Sequence, residues 1–156
     1  MRQRERNASP CAGKLSVQHA SGNRGFTCYD EVYAVDSGGT SRYADIVAFE
    51  GNSNLAYVLD PTVRYESNDD NQAVAIASEK ANIYEKCTGY LQEKYRDRFG
   101  ERRYEVRGLW FGSRGTIPQA TFEFLIGLGA DDSRLALLAE EILIDSLGIL
   151  GHHIYS

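Results

Sequence analysis

The spacing of apolar and polar residues becomes regular only after about residue 25, and it predicts both strands and helices. Apolar runs bounded by turn residues predict strands over residues 43–49, 55–60 and 104–111. Apolar residues spaced by three and four predict helices over residues 71–95, 118–128 and 135–150. The predicted order is therefore loop, strand, strand, helix, strand, helix, helix. This order indicates an α+β fold, with a mixed central sheet flanked by helices.

The first two strands are apolar on both faces and are separated by a turn at residues 51–54, which contains Gly51 and Asn52. We expect them to be antiparallel neighbours in the centre of the sheet, covered on both sides. The 24 residues that precede the regular pattern are polar and rich in glycine, serine and asparagine. They predict a flexible N-terminal arm, followed by one domain over residues 25–156.

Composition excludes several classes of protein. No apolar run approaches the ~20 residues that span a bilayer, and the basic N-terminus lacks the apolar stretch of a signal peptide. Three cysteines without a Cys-x-x-Cys pair, Cys11, Cys28 and Cys87, fit neither a disulfide framework nor a zinc knuckle. We therefore expect reduced thiols in an intracellular protein.

The formal net charge of -5 excludes a uniformly basic nucleic-acid-binding surface. Basic residues are nevertheless concentrated between Lys94 and Arg114, where acidic residues are interleaved with them. Two interpretations stay open for this stretch: contacts to DNA phosphates, or a solvated helix end and turn.

Each of the two central strands contains one aspartate, Asp45 and Asp60, with fourteen residues between them. Antiparallel pairing around the turn brings both carboxylates to the same edge of the sheet. Neighbouring buried carboxylates repel each other unless a cation joins them, and their hard oxygens suit magnesium. The alternative is that both are exposed residues at strand ends that cap turns.

Lys80 falls on the apolar face of the first predicted helix, with Ile76, Ile83 and Tyr84 as its neighbours at helical spacing. A lysine in this position either extends past the edge of the core to solvent or finds a carboxylate partner. Because the helix is expected to cover the sheet that carries both aspartates, we favour a cluster of Asp45, Asp60 and Lys80. Such a cluster can bind divalent ions and orient a water for attack on a phosphodiester.

At these residues the sequence resembles a known family. Ala44 and Asp45, followed after the fourteen-residue gap by Asp60, are similar to the PD-(D/E)xK nuclease pattern. Five ordered blocks resemble the restriction-like endonuclease at the C-terminus of the reverse-transcriptase polyprotein of arthropod-type non-LTR retrotransposons. These blocks are residues 42–49, 59–66, 79–84, 112–118 and 149–155.

The resemblance implies a restriction-endonuclease-like fold and a DNA endonuclease that depends on Mg²⁺ or Mn²⁺. It implies that Asp45 and Asp60 bind the metal and that Lys80 is catalytic, supplied by the helix because Thr62 stands where the simple pattern has lysine. Glu66 matches an acidic position of the family, either as an outer ligand of the metal site or as part of its polar rim. DNA contacts are expected from two arginines, Arg64 and Arg114.

In the family this reaction nicks target DNA, and the freed 3′ end primes reverse transcription. The implied partners are target DNA and the remainder of the polyprotein with its RNA, in the nucleus and without a membrane. Two features depart from the family: Ala44 replaces a proline, and residues 1–24 carry no zinc knuckle. A second hypothesis is therefore an inactive polyprotein fragment that binds nucleic acid weakly or is purely structural. A third is an unrelated α+β binding module.

Overall fold

The computed structural model of the chain describes residues 25–67 and 71–155, with side chains described as far as Leu147. The predicted N-terminal arm, residues 1–24, lies outside these residues, and the last block of the resemblance, residues 149–155, lies beyond the described side chains. The strands are β1 (Phe26–Val35), β2 (Ser41–Glu50), β3 (Leu55–Arg64) and β4 (Arg103–Gly112). The helices are α1 (Gln72–Tyr84), α2 (Thr88–Phe99), α3 (Gln119–Gly127) and α4 (Asp132–Tyr155), with a 3₁₀ turn at Glu85–Cys87.

The four strands form one mixed sheet in the order β1-β2-β3-β4. Strands β1, β2 and β3 make an antiparallel meander, and β4 returns parallel to β3 after the crossover through α1 and α2. The predicted α+β class with a mixed sheet flanked by helices is confirmed. The central position of β2 and β3 is also confirmed, which explains why both strands are apolar on two faces.

The strand β1 was not predicted from the sequence, which indicated the start of the domain near residue 25 but no strand before residue 43. Its apolar pattern is interrupted in the middle by Asp30 and Glu31, and Glu31 adopts a left-handed backbone conformation with φ of 50°. Two adjacent polar residues, one of them in a left-handed conformation, break the alternation of apolar and polar residues by which a strand is recognised. Nine register pairs with β2 nevertheless hold β1 in the sheet as an edge strand.

The single helix predicted over residues 71–95 is divided in two by the Glu85–Cys87 turn. At this turn the carbonyl of Lys86 accepts a hydrogen bond of 3.0 Å from the backbone N–H of Ser37, in the β1–β2 connection. The contact joins the helical layer to the meander. Because it depends on residues 49 positions apart in the chain, local periodicity did not reveal the break.

Each face of the sheet has its own hydrophobic core. Helices α3 and α4 pack on one face, where Leu125 and Leu138 meet Ile46 and Leu59. On the other face Leu91 and Cys87 pack with Val47 and Val58, beneath α1 and α2. Among the described residues, no helix combines the length and the apolar character that crossing a bilayer requires.

Candidate metal and catalytic site

The two aspartates lie side by side on the central strands. Ile46 on β2 pairs with Leu59 on β3, so Asp45 and Asp60 are the next residues opposite each other. Asp60 is 3% exposed and shares its side of the sheet with Val58, whereas Asp45 is only half-buried. The β2–β3 hairpin thus places the buried carboxylate of Asp60 beside the partly exposed carboxylate of Asp45.

Lys80 reaches Asp60 from α1. Its Nζ lies 3.1 Å from Oδ2 of Asp60, and the two side chains are 20% and 4% exposed. Of the two alternatives for this lysine, the structure therefore shows the carboxylate partner rather than extension to solvent. A partly buried ion pair of this kind offsets the desolvation of both charges only when they remain together.

Thr62 is a further partner of Asp60. Its hydroxyl donates to Oδ1 of Asp60 at 3.4 Å, while Lys80 is close to Oδ2. Thr62 stands two residues after Asp60 on β3, so both side chains lie on the same side of the strand. Each oxygen of the buried carboxylate consequently has a protein partner.

Tyr84 also belongs to the site. From the sequence it was assigned only to the apolar face of the helix. Its hydroxyl donates a hydrogen bond of 2.9 Å to the carbonyl of Tyr43. Burial raises the pKa of Tyr84 well above its usual range, and the negative charges of Asp60 and Asp45 raise it further. Tyr84 follows Lys80 by one helical turn, and that spacing was the signal available in the sequence.

Gly108 is the second residue that sequence reasoning missed. It pairs with Asp60 in the β3–β4 ladder, and α1 crosses directly above it. A Cβ atom at this position would lie 2.8 Å from Cβ of Lys80 and 3.2 Å from Cα of Ala77. The absence of a side chain lets the helix approach closely enough for Lys80 to reach Asp60. A glycine inside an apolar strand is the general signal for such an approach.

The structure does not bring Glu66 to this cluster. Arg64 ends β3 about 13 Å beyond Asp60 at the usual strand rise, and Glu66 lies two residues further. Its carboxylate accepts hydrogen bonds from the Thr116 hydroxyl at 2.9 Å and from the backbone N–H of Arg114 at 3.3 Å. These contacts tie the end of β3 to the β4–α3 connection.

The same contacts govern the ionisation of Glu66. Burial acts to raise its pKa, but hydrogen bonds from its own backbone, Thr116 and Arg114, together with the charge of Arg114, outweigh burial and lower the pKa below its ordinary value. The observed contacts of Glu66 therefore indicate a structural clamp, and a role in catalysis stays a prediction.

The two arginines predicted to contact DNA are both exposed. Arg64 forms an ion pair of 3.2 Å with Glu79, the residue that precedes Lys80. Arg114 lies over the ring of Tyr65, with its guanidinium carbon 5.1 Å from the centroid, and its Nε is 3.5 Å from Glu66. Arg64 thus borders the helix that carries Lys80, whereas Arg114 belongs to the Glu66 clamp.

The donor set of the cluster fits a hard divalent cation. Asp45 and Asp60 supply carboxylate oxygens, and Mg²⁺ commonly binds proteins through one or two carboxylates plus water and phosphate oxygens. Within the described residues no group of three or more His, Cys, Asp or Glu side chains gathers as a metal site. A cation held by two carboxylates alone would take its other ligands from water and substrate.

Comparison with known proteins adds no family assignment. No protein-family model matches the chain, and a search of the curated proteins finds no match either. The assignment of chemistry consequently depends on the residues and their arrangement.

Proposed function

We propose that the chain is a metal-dependent DNA endonuclease domain that uses the cluster of Asp45, Asp60 and Lys80. The observation that carries the proposal is the ion pair of 3.1 Å between Lys80 on α1 and Asp60 on β3, with Asp45 at the neighbouring register position on β2. The nuclease pattern that the sequence resembles needs this combination of two carboxylates and one lysine.

Asp45 and Asp60 would hold the divalent cation, Mg²⁺ or Mn²⁺. When bound, it supplies a Lewis acid for the phosphate and a water of lowered pKa for attack. Asp45 is the half-buried member, so substrate approaches from its side while Asp60 anchors the site from within. The Tyr84 hydroxyl keeps its proton, because burial and the two carboxylates raise its pKa, and it fixes the backbone of Tyr43 two residues before Asp45.

Lys80 supplies positive charge beside the carboxylate pair. Its ammonium group, 3.1 Å from Asp60, lies where it stabilises negative charge that develops on an attacked phosphate. Arg64, at the exposed end of β3 about 13 Å along the strand from Asp60, supplies a phosphate contact when its exposed ion pair with Glu79 breaks. Arg114 and Glu66 would then contribute at the rim, through the β4–α3 connection.

In the biological setting that the resemblance implies, the domain acts within a non-LTR retrotransposon polyprotein. A nick in target DNA in the nucleus would give the 3′ end for reverse transcription of the element's RNA. The rest of the polyprotein would supply most of the DNA affinity, because the chain itself carries a net charge of -5.

A specific observation favours a second candidate, an inactive remnant of the same polyprotein. Both oxygens of Asp60 already have protein partners, Lys80 and Thr62, so the buried carboxylate is satisfied without a cation. In that case the cluster maintains the fold alone, and the domain serves a structural role or binds nucleic acid weakly.

Nicking of supercoiled plasmid separates the two candidates. Wild-type protein with Mg²⁺ should convert supercoiled to open-circular DNA, chelation by EDTA should stop it, and Asp60→Asn should abolish it. The matched control is Asp97→Asn, an exposed aspartate on α2 that should leave the rate unchanged. Nicking that persists in Asp60→Asn would refute the nuclease assignment, and no nicking by folded wild-type protein would favour the remnant.

A further inference from the structure

Three partly exposed tyrosines form a continuous aromatic surface, which we call the tyrosine platform: Tyr33, Tyr43 and Tyr90. They are 37%, 62% and 38% exposed. The ring centroids of Tyr33 and Tyr43 are 5.5 Å apart, and those of Tyr33 and Tyr90 are 6.0 Å apart. Soluble proteins seldom group exposed aromatic rings unless the surface binds something.

The platform is assembled by three elements that fix its rings. Tyr33 and Tyr43 are direct partners in the β1–β2 ladder, and Tyr90 comes from α2. The Nζ of Lys94 donates a hydrogen bond of 3.0 Å to the carbonyl of Tyr33, which attaches α2 to β1. The Tyr33 hydroxyl is 3.1 Å from Oγ of Ser41. Rigid rings lose little conformational entropy when a ligand stacks on them.

Two lysines, Lys86 and Lys94, flank these rings. The Nζ of Lys94 donates to the carbonyl of Tyr33, and Lys86 is exposed four residues before Tyr90, where its carbonyl accepts a hydrogen bond from the β1–β2 turn. Nearby acidic groups have basic partners: Asp36 is 3.6 Å from Arg42 and accepts two backbone hydrogen bonds at Oδ1, and Glu93 is 3.0 Å from Arg96. The negative charge of Asp36 is thus held within its own turn.

We propose that the tyrosine platform binds unpaired nucleotides of a single-stranded nucleic acid. Bases stack on the exposed rings of Tyr43 and Tyr90, while Lys86 and Lys94 attract the phosphates. Base pairs in a duplex expose only their edges, so the platform selects single strands. An apolar protein partner fits less well, because two lysines rather than further apolar side chains border the rings.

The platform is continuous with the carboxylate cluster. Tyr43 lies two residues, about 7 Å of strand, before Asp45, and its carbonyl accepts the hydrogen bond from Tyr84. A strand held on the platform therefore passes the metal-binding residues. The inference deepens the proposed nuclease function, but its own support is the aromatic surface and its charges, so it is testable without any cleavage.

Fluorescence anisotropy with a labelled oligothymidylate, in EDTA and at low ionic strength, tests the proposal. Wild-type protein should bind the single strand more tightly than a duplex of equal length. Tyr43→Leu should weaken binding about tenfold, the loss of one stacked base, whereas Tyr43→Phe should retain it because stacking needs the ring and not the hydroxyl. Leu137→Ala, which removes an equally exposed apolar side chain on α4, should have no effect.

A charge variant and a cross-link give independent readouts. Lys86→Gln should lower the salt dependence of binding by about one phosphate contact, and Arg134→Gln on α4 should not. Photocross-linking of a 5-iodouracil-substituted strand should label Tyr43 or Tyr90. These measurements need no metal, so their outcome is separate from that of plasmid nicking.

The proposal is overturned if wild-type protein fails to bind the single strand, or if Tyr43→Leu binds it as wild type does. It is also overturned if Tyr43→Leu changes only the sedimentation of the protein, because the platform would then join two copies of the chain.

Discussion

Replacing Gly108 by alanine tests how α1 is held against the sheet at the candidate site. The new Cβ would lie 2.8 Å from Cβ of Lys80 and 3.2 Å from Cα of Ala77, where ordinary contacts are 3.4–4 Å. Neither of these atoms is the free end of a flexible side chain. The helix must therefore move away from β4 by at least about half an ångström, which separates Lys80 from Asp60.

The expected cost follows from overpacking. Inserting one carbon into a packed contact costs about 1–3 kcal/mol, and alanine regains up to about 1 kcal/mol through the entropy of the unfolded chain. We expect Gly108→Ala to lower the free energy of unfolding by about 1–2 kcal/mol. With a urea m-value of about 2 kcal/mol/M, the midpoint of unfolding falls by about 0.5–1 M.

Urea unfolding followed by circular dichroism measures this shift, and Gly89→Ala is the matched control. Gly89 lies in α2, where an added Cβ meets no atom within 4 Å, so alanine should stabilise the protein by up to about 1 kcal/mol. If Gly108→Ala unfolds at the wild-type urea concentration or above, with an unchanged m-value, α1 does not lie on β4 as described.

Three further predictions concern charged and thiol groups. Lys80→Met should destabilise the protein by about 3 kcal/mol in urea unfolding, because it leaves the charge of Asp60 buried without its ion-pair partner. Adding Asp60→Asn to this variant should restore most of the loss. A cost below about 1 kcal/mol for Lys80→Met would contradict the buried pair. Because folding lowers the pKa of Glu66, its carboxylate stabilises the fold at any pH above its ordinary pKa of 4.5, and this contribution is lost as the pH falls below that value. Glu66→Gln should therefore lose less stability than wild type between about pH 4.5 and pH 3. An equal slope in both proteins would refute the Glu66 clamp. Burial and, to a smaller extent, the charge of Asp30 raise the pKa of Cys28 to about 11. In a Cys11→Ser variant at pH 8, iodoacetamide should therefore modify Cys28 about a hundredfold more slowly in the folded protein than in urea. Mass spectrometry of the Cys28 peptide measures the two rates.

The central hairpin was predictable because its signals are local. Doubly apolar runs on either side of a glycine-containing turn fix β2 and β3 as neighbours, and this alone sets Asp45 opposite Asp60. Helical spacing likewise put Lys80 on the inner face of α1. These predictions needed only the periodicity of strands and helices, which is a property of adjacent residues.

The remaining features depend on contacts between residues distant in the chain. The strand β1 is held by its ladder with β2, although Asp30 and Glu31 interrupt its pattern. Gly108 matters because α1, about 30 residues earlier, crosses it. Glu66 resembles a site residue in sequence but finds its partners some 50 positions later, in the turn before α3. Propensity and spacing carry no information about these approaches.

Binding of Mn²⁺, followed by electron paramagnetic resonance of the free ion, tests the central claim most directly. The claim is that Asp45 and Asp60 form one divalent-cation site. Wild-type protein should bind Mn²⁺ saturably, Mg²⁺ should compete, and Asp45→Asn should weaken binding at least about tenfold without unfolding the protein, because Asp45 is only half-buried. Asp97→Asn should bind as wild type does. Equal affinity in wild type and Asp45→Asn would contradict the account.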